Sequence, residues 1–398
     1  MDSKEFQSDL TVRPELLGSP ALLTRFLQNT SSQRSLMSGN ALPQAEILHG
    51  SECSRIQTGF ETKYGRYQFD VSSRDQDVQI LEVIPKFKVS VRNDQIRNNP
   101  TLTVIYLGSD DGRIGYFDVN SYTELHSGFG YINKKMNQFR LTKGDFVAKE
   151  TKFVSAPNHD DDIYEMGTMV NSCYIPMWDT TDDAFVISRS LAKKMEHTVI
   201  DTVIINIKAD SIPLNLYGDD LDYKCFPDIG ERVREDGIVM GFRQRNESTF
   251  LTDITARALC EPEYLHDDIY VAEPGAEIID VQIFTNQKVY PTLNDGPYVQ
   301  LMHYQDQHHE YYAAIIDAYE RLKKEGYKCR PEFSNLVTKC KGWCYYKGGK
   351  SMILMDKKEP VEFIRVKLTY AYTQKVNHGF KITGVNTFSS LQRVIVVE

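Results

Sequence analysis

Pro176-Met-Trp-Asp-Thr-Thr-Asp-Asp-Ala-Phe-Val-Ile-Ser188 sets two adjacent carboxylates, Asp182 and Asp183, between an aromatic turn at Trp178 and a short apolar run, Ala184 to Ile187. Carboxylates on a loop that enters an apolar element suit a magnesium–phosphate site, because magnesium takes oxygen ligands and shares them with substrate phosphates. An acidic turn capping a strand or helix has the same pattern. Spacing alone does not separate the two.

On the C-terminal side of this stretch, Val199 to Ile207 and Glu277 to Phe284 are strand candidates. The second is nearly continuously apolar over Ile278-Ile-Asp-Val-Gln-Ile-Phe284 and is expected to be buried. On the N-terminal side, short alternating runs fall at Tyr67 to Val71, Val78 to Ile84, Phe87 to Val91 and Leu102 to Leu107, with a tight turn at Ser109-Asp-Asp-Gly112. Leu141-Thr-Lys-Gly-Asp-Phe-Val147 and Asp228-Ile-Gly-Glu-Arg-Val-Arg-Glu-Asp-Gly-Ile-Val239 each place a glycine turn before a β-branched strand, as in small barrel-like β modules.

Helical spacing is confined to two places. Leu22, Leu23, Phe26 and Leu27 share a face within Ser19 to Thr30, ahead of a polar stretch, Ser31 to Gln44, that carries Arg34, Asn40 and Gln44. Ala313, Ile316, Tyr319 and Leu322 share another between about Gln307 and Leu336, with Lys323-Lys-Glu-Gly326 as a C-terminal stop. The expected fold class is α+β, strand-rich, with a helical insertion.

Composition sets the outer limits. A length of 398 residues allows two or three domains, and 41% hydrophobic with 25% charged residues is ordinary for a folded soluble chain. A net charge of −9 argues against a free-standing nucleic-acid binder, but not against a subunit that supplies part of a nucleic-acid channel. No apolar run approaches the roughly 18 residues of a membrane helix. Met1-Asp-Ser-Lys-Glu-Phe-Gln7 lacks a signal core, and seven irregularly spaced cysteines suggest reduced thiols. A cytoplasmic protein is expected.

The order of motifs produces a resemblance. Phe26-Leu-Gln-Asn-Thr-Ser-Ser-Gln-Arg-Ser-Leu-Met-Ser-Gly-Asn-Ala-Leu-Pro-Gln-Ala45 resembles the fork region of the β subunit of multisubunit DNA-dependent RNA polymerases, and Ile56-Gln-Thr-Gly-Phe-Glu61 resembles its Val-Gly-Thr-Gly-Met-Glu. Lys143-Gly-Asp145 sits where the family has a Gly-Asp turn, and Pro176 to Ser188 is similar to its Met-Pro-Trp-Asn-Gly-Tyr-Asn-Phe-Glu-Asp-Ala-Ile-Leu-Ile-Ser. Gly230 and Val239 look like a further family turn. Val271-Ala-Glu-Pro-Gly-Ala-Glu-Ile-Ile-Asp-Val-Gln-Ile-Phe-Thr285 resembles its Val-Pro-x-Gly-x-x-Gly-x-Val-Ile-Asp-Val-x-Val-Phe-Thr. Val366-Lys-Leu-Thr-Tyr-Ala-Tyr-Thr-Gln-Lys-Val-Asn-His-Gly-Phe-Lys-Ile-Thr-Gly384 resembles the family's lysine-bearing Gly-Asp-Lys-Met-Ala-Gly segment. The divergence and small size look most like the split β subunits of giant phiKZ-like bacteriophages.

The resemblance implies a domain plan. Residues 1–75 would form the fork and active-site wall, 76–165 a β-rich segment, and 166–210 the first part of a double-psi β-barrel with the Asp pair. A flap-like β module would follow at 211–305, a helical insertion at 306–360, and a second barrel part at 361–398, truncated inside the catalytic lysine motif. It implies nucleotidyl transfer, in which protein groups position the 3′ hydroxyl and neutralise triphosphate charge. Asp182 and Asp183 match the family's Glu-Asp pair, which helps hold a second, nucleotide-borne Mg2+. Lys381 matches the first of two lysines near the RNA 3′ end. Arg34 and Asn40 match fork residues near the incoming nucleotide, where Arg suits planar phosphate recognition, and Gln44 matches a residue near the transcript backbone.

Two departures shape the expectation. After Gly384 the family continues Arg-His-Gly-Asn-Lys-Gly, whereas this chain has Val-Asn-Thr-Phe-Ser-Ser-Leu-Gln-Arg393, and Phe380 replaces the usual Asp. A β subunit encoded in pieces or a paralogue without activity would each give this; the abrupt loss after a good match favours the first. No Asp-Phe-Asp-Gly-Asp motif occurs, so the main catalytic Mg2+ would be held by a partner β′-like chain. Expected partners are the remaining polymerase subunits, DNA template, RNA transcript and NTPs, with no membrane. The alternative function is a catalytically inactive polymerase-like structural or virion protein.

Weaker patterns are a Gly218-Asp-Asp220 turn, an acidic loop at Asp160-Asp-Asp162, and a zinc set from Cys329, Cys340, Cys344, His308 and His309 whose spacing lacks a second cysteine pair. The 307–342 insertion, which carries Lys323, Lys324, Lys328 and Arg330, falls where bacterial β subunits have a helical hairpin, so the resemblance implies a partner-docking or lineage-specific element rather than a DNA reader.

Overall fold

A computed structural model describes residues 18–68, 71–72, 76–87, 101–126, 128–135, 141–160, 163–174, 184–219, 222–244, 255–285, 296–347, 350–353, 361–376, 387–388 and 395–397. The chain is α+β and strand-rich, with several separate sheets, and among the described residues none of them closes into a barrel. Two of these sheets share one long helix.

The N-terminal region holds helices α1 (Ser32–Ala41) and α2 (Glu61–Gln68). Strands β1 (Val78–Pro85), β2 (Thr101–Gly108), β3 (Arg113–Asn120) and β4 (Phe146–Val147) follow. Next come β5 (Ala184–Ile187), the short helix α3 (Arg189–Lys194) and β6 (His197–Ile207). Then β7 (Ser211–Pro213), β8 (Ile238–Gln244), β9 (Asp267–Val271) and β10 (Glu277–Thr285) precede the long helix α4 (Val299–Lys324). Beyond it lie β11 (Lys328–Cys329), α5 (Pro331–Trp343), β12 (Ile364–Gln374), β13 (Thr387–Phe388) and β14 (Ile395–Val397).

β6, β12 and β10 form an antiparallel sheet with β12 in the middle. Ile205, Ile278, Val281, Ile283, Val366 and Leu368 from these strands are wholly buried and pack with Phe226, Leu301 and Tyr304. Each such aliphatic side chain contributes about 1.5–3 kcal/mol when buried. The second main sheet runs β11-β3-β2-β1-β4. Its Ile84, Ile105 and Ile114 meet Ile315, Ile316 and Leu322 of α4 and Phe333 and Val337 of α5. The N-terminal turns of α4 therefore serve one core and its C-terminal turns the other. β7, β8 and β9 make a small third sheet.

A buried ion pair links these layers. Lys86 donates to both carboxylate oxygens of Asp280 at 2.7 Å, and Tyr122 and Gln282 donate to one of them at 3.2 and 3.1 Å. Burial alone would raise the Asp280 pKa. The Lys86 charge and these hydrogen bonds outweigh it and hold the carboxyl below its ordinary value.

Several expectations meet their outcome here. The strands at Val78 to Ile84, Leu102 to Leu107, Val199 to Ile207 and Glu277 to Phe284 form as read, and Gly112 closes its turn at φ +59°. Tyr67 is helical instead of extended. Glu61 starts α2 by accepting from the Thr58 and Gly59 amides at 2.8 Å each, and the helix runs through Gln68 before the two-residue strand Val71–Ser72. Ser19 to Thr30 is not one helix but a turn, Ser19–Leu22, and a 3-10 turn, Leu27–Asn29, broken where Phe26 takes φ +54°.

The helix of this region lies in the polar stretch instead. Ser31 caps α1 by accepting from the Arg34 amide at 3.4 Å. The expected long helix starts eight residues earlier than Gln307, and it ends where Gly326 takes φ +92°. Leu336 belongs to a separate helix, α5, opened by Pro331. Phe87 is described and buried, whereas the rest of the expected strand, 88–91, lies outside the described residues.

Candidate functional site

Three segments that carry candidate residues meet at one corner of the β6-β12-β10 sheet. Leu48, four residues after Gln44, forms an antiparallel bridge with His197 at the start of β6. His197 in turn faces Gln374, the last residue of β12. His49 fastens the junction: its amide donates to the Glu196 carbonyl at 2.9 Å, and its Nε2 lies 2.6 Å from Thr198 Oγ1. Lys375 Nζ adds a loose ion pair with Glu196 at 3.6 Å, worth little at this exposure. Ile47 packs on Tyr131 and Ala156, so the bridge rests on a small apolar base.

β5 reaches the same corner through α3. Ser188 ends the strand and caps the helix, accepting from the Leu191 amide at 3.1 Å, and α3 passes the chain to β6. β5 also pairs in parallel with β13 (Ala184 with Thr387, Phe185 with Phe388) and with β14 (Val186 with Val396, Ile187 with Val397). Parallel strands are entered from the same end. Asp183 is the residue before Ala184, and Lys381 precedes Thr387 on the chain that leaves β12. Asp182, Asp183 and Lys381 themselves lie outside the described residues.

Arg34 and Asn40 are exposed on α1, and Gln44 is exposed on the 3-10 turn Leu42–Gln44. No residue of α1 is buried, and Leu36 and Met37 are exposed with the polar side chains. The helix is anchored at its end, where Leu42 packs with Leu23 and Tyr164. The fold thus holds this segment without using the three candidate side chains for packing.

Glu46 is a titratable group that residue spacing did not single out. It is half-buried two residues past Gln44, and loss of hydration pushes its pKa up to about 7. A carboxyl poised near neutrality beside candidate ligand-binding residues is a proton donor or acceptor at physiological pH. Burial is what raises it, and nothing in the local residue pattern reports that burial. His197 is shifted down, chiefly by burial, against hydrogen bonds from its neighbours, so it is neutral at pH 7.

The weaker patterns resolve structurally where they are described. Asp219 accepts from the Asp222 amide at 2.8 Å, and its carbonyl accepts from Asn215 at 3.1 Å, as in a closed turn; Asp220 lies outside the described residues. Asp160 is exposed at a two-residue hairpin, with Asp161 and Asp162 outside the description. The His308 ring lies tilted against Phe87 with centroids 5.0 Å apart, while Cys340 is buried in the α4–α5 core. Among the described residues no three His, Cys, Asp or Glu side chains converge for a metal, and Cys53, Cys225, Cys260, Cys329 and Cys340 carry free thiols.

Among the described residues no helix is long and apolar enough to cross a membrane. No family model matches the chain, and no curated protein matches it.

Proposed function

We propose that this chain is a β-subunit fragment of a multisubunit DNA-dependent RNA polymerase, contributing to nucleotide and RNA 3′-end binding in transcription. The motif series supports this reading, and one observation carries it. The segments bearing the fork-like residues, the Asp pair and the lysine motif are far apart in sequence. They are joined through Leu48 with His197, His197 with Gln374, and the parallel pairing of β5 with β13. A composite site drawn from these segments needs that convergence.

In this reading Asp182 and Asp183 would hold the nucleotide-borne Mg2+, since adjacent carboxylates are the hard oxygen donors that magnesium prefers. When bound, that ion neutralises triphosphate charge. Lys381 supplies a cation toward the RNA 3′ end and the phosphates. Arg34 and Asn40 orient the incoming nucleotide from the exposed face of α1, and Gln44 contacts the transcript backbone. The finer architecture, part of a double-psi β-barrel with a flap-like module over 211–305, belongs to the same proposal. The main catalytic Mg2+ is assigned to a β′-like partner chain.

Copurification is the first test. The chain should be recovered in a stable complex with chains carrying the Asp-Phe-Asp-Gly-Asp motif and the Arg-His-Gly-x-Lys-Gly segment; a monomer that never joins such chains sinks the proposal. Within the complex, Asp183→Ala should slow nucleotide addition far more than it weakens assembly. An assembled complex whose elongation is indifferent to Asp183→Ala and Lys381→Ala would fit the alternative, an inactive structural or virion component.

A further inference from the structure

A cleft of about 410 Å³ opens where the C-terminal turn of α4, β11 and the first turn of α5 meet the start of β3. Arg113, Lys323 and Lys328 line it with Tyr319, Tyr327 and Ser334, and no acidic side chain is among its described lining residues. The chain as a whole carries nine excess negative charges, so an acid-free cleft with three cations runs against its average. All three cations are exposed. Of the carboxylates around it, Asp111 pairs with Arg330 at 2.8 Å and Glu320 with Lys341 at 2.8 Å, while Glu325 and Glu332 are exposed outside the lining.

The aromatic side chains give the cleft a second character. Lys323 Nζ sits 5.6 Å from the Tyr319 ring centre, and Tyr319 is braced edge-on against buried Phe333 at 5.5 Å. Tyr327 is 39% exposed and leaves a ring available at the rim. Gly326, at φ +92°, turns the chain so that Tyr327 and Lys328 follow directly on α4. The positive end of the α5 dipole adds to the same field, with Ser334 in its first turn.

Phosphate oxygens satisfy such cations, and a nucleobase satisfies an exposed aromatic ring. The volume falls in the range of about 300–1,000 Å³ typical of small-ligand sites. We propose that this cleft binds a nucleoside phosphate, with Arg113, Lys323 and Lys328 taking the phosphates and Tyr327 stacking on the base. The ligand has two possible sources, a free nucleotide or one unit of a single strand. Its lining residues include none from the Asp182, Asp183 and Lys381 segments, and the proposal does not rest on the polymerase assignment.

The test uses the full chain alone, with ATP by calorimetry and fluorescein-labelled oligo-dT of twelve nucleotides by anisotropy. At least one probe should bind saturably. Lys323→Glu with Lys328→Glu should weaken it by about tenfold or more, the scale of a lost charge-assisted contact. Lys208→Glu, on the exposed turn after β6, should leave binding unchanged. Tyr327→Ala should weaken nucleotide or oligonucleotide binding but not that of inorganic pyrophosphate. Binding of ATP identifies the free nucleotide as the source, and binding of oligo-dT without ATP identifies the strand. No saturable binding of either probe overturns the proposal. So does binding that survives the Lys323→Glu, Lys328→Glu variant, or Tyr327→Ala binding that matches the unmodified chain. Because the substituted side chains are exposed, an unchanged thermal unfolding curve verifies that each variant is folded.

Discussion

Lys86 Nζ lies 2.7 Å from both carboxylate oxygens of Asp280, and the two side chains are only 11% and 0% exposed. Removing one partner strands a buried charge, so Lys86→Met or Asp280→Asn should each cost about 3–5 kcal/mol. Replacing both by apolar residues should cost much less than the sum, because the desolvation penalty disappears with the charges. Urea unfolding of the two single variants and the double variant reads this directly. Additive losses would contradict a coupled pair.

His308 sits beside this pair, its ring tilted against Phe87, and its Nε2 has no hydrogen-bond partner among the described residues. Burial and the Lys86 charge push its pKa down to about 3, against the pull of Asp280. Between about pH 3 and 6.5 the unfolded chain binds a proton here that the folded chain does not. Folded stability should therefore fall as pH drops below about 6.5, by roughly 1.4 kcal/mol per unit from this group. Asp280 adds its own loss only at lower pH, as its depressed folded pKa is crossed. His308→Phe should flatten the upper part of the acid limb while leaving stability at pH 8 little changed. An acid limb of unaltered slope between pH 5 and 6.5 would refute the assignment.

Arg243 makes a forked pair with Asp267, with Nε to Oδ1 at 2.8 Å and Nη2 to Oδ2 at 2.7 Å. Its guanidinium also donates to the carbonyls of Ala258 and Glu261 at 3.1 and 3.2 Å, tying β8 and β9 to the 3-10 turn Ala258–Cys260. Lysine cannot span this planar set of acceptors. Arg243→Lys should cost about 2–3 kcal/mol through unsatisfied buried acceptors. Local opening should show first as faster amide exchange over residues 255–267, before the β6-β12-β10 sheet is affected.

The fold class was legible because its strands advertise themselves. Ile278 to Phe284 is apolar enough to read as buried, and Ile278, Val281 and Ile283 are; Val199 to Ile207 reads as a strand and forms one, with Ile200 and Ile205 buried and Ile204 exposed. The first turns of α4 were not legible, because Gln300 and Gln305 are buried there as polar residues paired with Cys225 and Thr285, remote in sequence. α1 was missed for the opposite reason: with no buried residue it has no apolar period to display. The corner that joins Leu48, His197 and Gln374 depends on long-range pairing, and no local pattern encodes it. Glu46 belongs to that corner and shares its invisibility.

Arg34, Asn40 and Gln44 give the sharpest separation between folding and function. All three are exposed, and the Arg34 guanidinium approaches the Met37 sulfur, one turn away, at a weak 4.0 Å. Surface substitutions of this kind change stability by about 0.5 kcal/mol or less. Arg34→Ala and Gln44→Ala should therefore leave the unfolding curve of the isolated chain in place. If α1 and the 3-10 turn that follows it present these side chains to nucleotide and transcript, Arg34→Ala should raise the NTP concentration needed for half-maximal elongation in the assembled complex, and Arg34→Lys should restore it only in part, since a point charge does not reproduce the planar fork. Gln44→Ala should instead weaken transcript retention with little change in NTP dependence. Should either variant unfold the isolated chain, the residue would be structural and its functional assignment lost; should elongation be untouched by both, α1 would be a surface for another partner.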